Sequence, residues 1–452
     1  MLETMKMSLH HLRTHMSLKS MLAGAAAIAL SAPLCLGQAS ERAVFVANNG
    51  NLEGSVTSFT LNPDDSLNLV QKLVIGSRPN TQVFDPGTNA FSISISPSGR
   101  FLAVGHATSA TQWEQLTIIE VHSDATMSLF TTDFLVRDAP LGLTWVTDEL
   151  ICVAQTGAGR IWLYRFDPDG PSLIQLDFKD VGSFTSNVIM HPNGEFIYAQ
   201  DSSGTQIAGF SINPNDTLNP INVVNTSPAF PIGIGISPDG TKIYGGGGIS
   251  NGGDKVPGAF IDPDTGVLTL MPGSPFVSPG ASPKQVVISG DNAYAAVAHG
   301  TDATVRMLSV DQTTGALTDT GFMFDVGFQG SLGSMAGMDD LLFVTDRDTL
   351  FDGVLGLYSF TINSDGSLTQ NGPIVDTTGI GPDAIAVWKP ADAPGCPADL
   401  DGDGSVGSGD LAVLLGCWGV AVGPCASADL TGSGDVGSAD LADLLGQWGP
   451  CP

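Results

Sequence analysis

The stretch SISISPSGRFLAVGHA, residues 92–107, holds two strands and the turn that joins them. Serine and isoleucine alternate up to residue 96, as on a strand with one buried face. The unbroken apolar run after the turn is the pattern of a strand buried on both faces. Between them, Ser-Pro-Ser-Gly puts proline at the second turn position, where its fixed φ belongs, and glycine at the fourth. The unit recurs as NVIMHPNGEFIYAQDS (187–202) and IGISPDGTKIYGGGG (234–248). An outer hairpin recurs with it, as SFTLNPDDSLNLV (58–70), GFSINPNDTLNPI (209–221), AFIDPDTGVLTL (259–270) and SFTINSDGSLTQ (359–370).

The strand after each inner turn is expected to begin near residues 43, 101, 149, 195, 241, 292 and 341, at intervals of 58, 48, 46, 46, 51 and 49 residues. Four short strands and their turns fill such a period, which is the length of a propeller blade. No sustained 3.6-residue apolar period runs through this region, so helices are not its framework. RAVFVANN (42–49) has no inner-turn strand before it, and PDAIAVWKP (382–390) has no successor. Pairing the two in one blade closes the ring and removes the edges of an open sheet. The expected class is therefore all-β, a seven-bladed β-propeller of four-stranded blades over residues 40–390. A short linker, 391–395, leads to a small α module over 396–452.

That module repeats itself. In CPADLDGDGSVGSGDLAVLLGCWG (396–419), 16 of the 22 positions from Ala398 to Gly419 recur identically thirty residues on. Calcium takes hard oxygen ligands on a tight loop, with carboxylates at alternate positions, a glycine at the sharp turn and an acid at position twelve. Counted from Asp399, the loop offers Asp399, Asp401 and Asp403, then Gly404, the Ser405 carbonyl, and Asp410 at position twelve. The second loop offers Asp429, Thr431, Ser433, Asp435 and Asp440, with two carboxylates fewer at positions three and five. Two calcium ions are expected, the first held more tightly. A short helix follows each loop, with Leu411, Leu414, Leu415 and their repeats on one face and Trp418 and Trp448 capping it.

Charge and targeting narrow the function. The chain has 452 residues with 17 Lys and Arg against 46 Asp and Glu, a formal net charge of −29. Nucleic acid and anionic membrane both need a cationic surface and are excluded as partners. Lys6, Arg13 and Lys19 precede the apolar run MLAGAAAIALSAPLCLG, and GQA ends at Ala39, the layout of a signal peptide over residues 1–39. The run is too short and alanine-rich for a membrane span. The mature protein is expected to be secreted, extracellular or cell-surface associated, with no membrane span after cleavage. Cys396, Cys417, Cys425 and Cys451 crowd the tail, where an exported protein forms disulfides in one of three connectivities. Zinc is the alternative, although no CxxC pair or nearby histidine supports it. Cys152, in ELICVAQ, reads as a buried thiol.

The inner turns and outer hairpins together resemble the lactonase-type, or YVTN-repeat, propellers, across roughly residues 43–390. In the 6-phosphogluconolactonase branch, acidic and basic side chains at the central opening are implied to activate water and stabilise an oxyanion. The segments SPSGRFLAVGHATS and HPNGEFIYAQDSSGTQ lack such residues just beyond the turn. The candidates are Arg78, Arg137 and Lys284, on loops entering inner strands, and His106 and His299, at the ends of second strands. His191, in MHPNG, is expected to serve its turn, and Trp113, Trp145 and Trp162 to stack on a sugar or to fill space between blades. The tail is similar to type I dockerin modules, which implies a cohesin-like or other surface receptor. It departs from them in its cysteines and in having no Lys or Arg after Lys389. The leading expectation is a non-catalytic binding or display protein anchored through the tail. The alternatives are an extracellular lactonase or related hydrolase working at the central opening, and a carbohydrate-binding propeller.

Overall fold

The computed structural model describes residues 42–77, 88–107, 113–227, 233–247, 253–327, 332–347 and 355–390, and in the tail 398, 400, 405–420, 425, 428–431 and 433–450. The expected signal peptide, Arg78, the linker, Cys396, Cys451 and the loop acids Asp399, Asp401 and Asp403 lie outside them. Seven four-stranded antiparallel sheets make up the propeller. The second strands begin at Ala43, Phe101, Leu150, Phe196, Lys242, Tyr294 and Leu341, within two residues of the positions expected from the turns.

We number the blades from the first complete one. Their innermost strands are Ala90–Ile95, Pro140–Trp145, Thr185–Met190, Ile234–Ile236, Pro283–Ile288, Leu332–Met338 and, in the seventh blade, Pro382–Trp388. That last strand pairs with Ala43–Asn49, Ala43 opposite Trp388 and Phe45 opposite Ala386, so the two ends of the propeller share a blade. The fourth blade also carries a small ribbon of Lys255–Val256 with Phe276–Val277.

Side chains alternate along each second strand, so one strand feeds two seams. Phe101 and Ala103 pack toward the second blade with Leu143, Trp145, Ile151 and Phe166. Leu102 and Val104 pack the other way, with Phe45, Ala47 and Trp388 of the seventh blade. Seven such apolar clusters fill the seams between neighbouring blades. Burial on both faces is why these strands read as continuous apolar runs. Trp145 fills the seam between the first two blades, its Nε1 donating to Ser94 O at 3.2 Å. Cys152 is a buried free thiol in the next seam, its pKa pushed up by burial. His191 serves its turn: Nδ1 accepts from Asn193 N at 3.2 Å, and Nε2 donates to Gly240 O of the fourth blade at 2.8 Å.

The tail has two short helices, α1 (Ser408–Gly416) and α2 (Ser438–Gly446). Leu414 and Leu444 are fully buried with Val406, Val436, Ala398 and Ala428. Leu415, Trp418, Leu445 and Trp448 are instead 50–53% exposed, so the expected apolar face divides into a buried and an open half. Cys417 and Cys425 form a disulfide. Among the described residues, no helix is long and apolar enough to cross a membrane.

Candidate functional site in the central opening

A cavity of about 780 Å³ opens at the centre of the ring, and the inner strands or their lead-in residues from all seven blades line it. A repeated backbone device supplies its walls. In the first, second, third and fifth blades the inner strand holds one residue more than its partner at its first turn into the sheet. Ala90 pairs with His106 and Ser92 with Gly105, which leaves Phe91 as the extra residue. By the same count the extra residues are Leu141, Ser186 and Lys284. In the sixth blade Gly333 and Ser334 oppose Thr345 alone, and in the seventh Asp383 and Ala384 oppose Ala47 alone. A bulge breaks the in–out alternation and turns a side chain away from the ladder. Every one of these residues lines the cavity.

Three charges converge there. Lys284 is half-buried and its Nζ donates to Leu332 O at 2.7 Å and to Gly333 O, binding the fifth blade to the sixth. Burial draws its ammonium down to about 8; the Asp383 charge raises it and the Arg347 charge lowers it further. Arg347 Nη1 lies 3.7 Å from Asp383 Oδ2, which also accepts from Asn49 Nδ2 at 3.2 Å. Thr345 Oγ1 donates to Asp383 O at 2.9 Å and holds the bulge in place. Arg347 Nε has no hydrogen-bond partner among the described residues. One carboxylate beside two cations, all on the cavity wall, is an arrangement able to take a proton from water and to stabilise an oxyanion.

The other candidates go elsewhere. His106 is buried, with Nδ1 donating to Thr88 O at 2.9 Å and Nε2 accepting from Thr117 Oγ1 at 2.7 Å. His299 is fully buried, its Nε2 at 2.9 Å from Ser278 Oγ. That pair has the spacing of a nucleophile and its base, but both side chains are sealed from solvent and neither lines the cavity. Burial lowers both imidazoles to about 4, with Arg306 adding to the effect at His299. Arg137 ends the outer strand of the first blade. Trp162 stacks on Phe178 with centroids 4.6 Å apart and does not line the cavity. Neither Arg347 nor Asp383 is among the candidates that the sequence pattern picks out. The signal for Asp383 was available, since PDAIAVW and PKQVVI both place a charge directly after a strand-opening proline.

In the tail, both loops close on their position-twelve acids. Asp410 Oδ1 accepts from Leu400 N and Oδ2 from Gly407 N, each at 2.6 Å. Asp440 accepts from Gly437 N at 2.7 Å, Thr431 N at 2.9 Å and Thr431 Oγ1 at 2.8 Å, and the backbone bonds hold its carboxyl down to about 2. Asp429 gathers Gly434 N at 2.7 Å and Ser433 N at 3.0 Å. Among the described residues, no three His, Cys, Asp or Glu side chains group as a metal site. The second loop has hydroxyls, Thr431 and Ser433, at its third and fifth positions, where the first loop's sequence has Asp401 and Asp403.

Ring, bulges and charged opening define a closed seven-bladed propeller with its candidate site on the axis. Residues 147–331 match the family model described as Lactonase, 7-bladed beta-propeller. No curated protein matches the chain. Among solved structures, the periplasmic gluconolactonase of Pseudomonas aeruginosa is similar, with 16% identity, a TM-score of 0.60 and coverage of 77% of this chain and 99% of that one. A putative 6-phosphogluconolactonase from Bacteroides fragilis shares 20% identity, with a TM-score of 0.55 and coverage of 77% and 98%. The lactonase-type fold read from the turns stands. The expectation of a non-catalytic display protein does not: the lactonase family match overturns it, and lactone hydrolase is the enzyme class with which that match agrees.

Proposed function

We propose that the propeller is a lactone hydrolase working in the central opening. The carrying observation is that Lys284, Arg347 and Asp383 meet on the cavity wall, two of them placed there by strand bulges. Asp383 takes a proton from water as the water oxygen bonds to the lactone carbonyl carbon. Lys284 and Arg347 donate to the carbonyl oxygen as it gains negative charge. The ring C–O bond then breaks, and the departing ring oxygen takes the proton from Asp383, leaving a hydroxy acid. The test is proton release by the purified chain from a panel of sugar and alkyl lactones. Turnover well above the buffer rate is expected, and buffer-rate hydrolysis across the panel overturns the reading.

The tail supports a second element of the proposal, a calcium-dependent anchor of the dockerin type on an exported enzyme. Loop oxygens from Asp410, Asp429, Thr431, Ser433, Asp435 and Asp440 suit a hard cation, and Asp399, Asp401 and Asp403 would add three carboxylates to the first loop. The half-exposed Leu415, Trp418, Leu445 and Trp448 supply an apolar surface for a cohesin-like or other surface receptor. Calorimetric titration with calcium tests this part, since a chain that takes up no calcium has no such anchor.

A further inference from the structure

The charged side chains of the cavity gather on one arc of the ring. Blades five to seven contribute Lys284, Gln285, Ser334, Arg347 and Asp383. Blades one to three contribute no charged residue to the lining; Phe91, Leu141 and Phe184 stand there with Ile93, Leu143 and Val188, interspersed with the uncharged polar Ser186, Asn187, Ser202 and Ser203. Phe91 and Leu141 are bulge residues, so the same backbone device that aims Lys284 and Asp383 at the opening aims apolar groups at it from the opposite arc. Phe184 is 42% exposed within that wall. Large apolar side chains held open in a concave site are places where a ligand's apolar surface replaces water.

The charged arc is equally restrictive. Lys284 spends two donors on backbone carbonyls, and Arg347 is paired with Asp383. The three groups carry one net positive charge, enough for one developing oxyanion and too little for a phosphate dianion as well.

We infer that the preferred substrate is an uncharged lactone bearing an alkyl or acyl chain, its ring carbonyl against Lys284 and Arg347 and its chain against Phe91, Leu141 and Phe184. The inference rests on the lactone-hydrolase reading and adds substrate class to it. Burial of chain on this wall favours the longer substrate by about fourfold per methylene at full contact.

The experiment compares kcat/KM of the full chain for γ-butyrolactone, γ-hexalactone, γ-octalactone and glucono-δ-lactone. A rise of tenfold or more from the four-carbon to the eight-carbon lactone is expected, with the sugar lactone the poorest. Phe184→Ser and Leu141→Ser should flatten that slope, lowering kcat/KM for γ-octalactone more than for γ-butyrolactone. Lys284→Met should lower all four rates in the same proportion. A slope of one, or a sugar lactone turned over best, overturns the substrate class and leaves the hydrolase reading intact. No turnover of any lactone overturns both. A slope that survives both serine variants in protein with native circular dichroism also overturns the assignment of this wall.

Discussion

Arg347 Nη1 stands 3.7 Å from Asp383 Oδ2, although the residues belong to different blades and lie 36 positions apart. Asn49 reaches the same carboxylate from the amino-terminal end of the propeller. The acid is therefore held by the two strands whose pairing closes the ring, so the proposed base is also a closure residue. Asp383→Asn keeps the Thr345 bond to the backbone carbonyl but removes the base. Lactone turnover is expected to fall by about 10²–10⁴-fold, the usual worth of general-base catalysis. Initial rates beside a thermal melt check it; full activity in the variant would exclude Asp383 as the base.

Lys284 sets an alkaline limit. Burial lowers its pKa to about 8, so the cation proposed to receive the oxyanion is lost as pH rises through that value. kcat/KM, corrected for uncatalysed hydrolysis, should decline above pH 8. In Lys284→Arg the guanidinium stays charged, and the decline should move beyond the accessible range. An unchanged alkaline limb in the arginine variant would assign the limb to another group.

The blades were legible because three inner turns carry position-specific chemistry, proline at the second turn place and glycine at the fourth, and the strands around them recur at a near-constant period. The cavity was legible only in part. Lys284 follows a strand-opening proline and reads as a loop charge, whereas Asp383 follows one in PDAIAVW, which reads only as the strand that closes the ring. What separates them from other charges is the bulge, and a bulge is a property of register between two strands, which no single strand displays. Arg347 lies just past the end of a second strand and gives no local signal at all. His106 and His299 misled for the opposite reason: strand ends look exposed in sequence, and here each ring is packed inside its blade.

Those two histidines make the propeller acid-sensitive. Burial holds each near pKa 4, below the ordinary value of 6.5, so the unfolded chain takes up protons first as pH falls. Their stabilising contribution is complete above pH 6.5 and is lost progressively toward pH 4, by on the order of 3 kcal/mol each. Melting temperature should drop between pH 7 and pH 5. His106→Gln with His299→Gln should lower stability at pH 7 but reduce that drop. A wild type that melts at the same temperature at both pH values contradicts the assignment.

The two tail loops should differ in calcium affinity. The first combines Asp399, Asp401, Asp403 and Asp410, while the second has Thr431 and Ser433 at the matching third and fifth places. Fewer charged ligands weaken a calcium loop. Calorimetry on the full chain should resolve two sites, and Asp399→Ala with Asp410→Ala should remove the tighter. Loss of the weaker site instead would reverse the order proposed.

Closure can be probed at one glycine. Gly99 ends the first blade's inner turn with φ +75°, and a Cβ placed there would lie 2.3 Å from Trp388 Cε2 in the strand that closes the seventh blade. Trp388 Nε1 in turn donates to Pro97 O at 3.4 Å. An alanine at this position meets two penalties, a left-handed backbone and an indole that cannot withdraw from a packed seam. Gly99→Ala is expected to cost about 2–4 kcal/mol, more than backbone strain alone. Gly194 has φ +77° at the equivalent turn with nothing within 4 Å of its Cβ position, so Gly194→Ala meets only the first penalty. The comparison of the two variants in denaturant unfolding isolates the contact with Trp388. Equal losses in both would mean that the indole yields, and that the seam between the first and seventh blades is not what holds the ring shut.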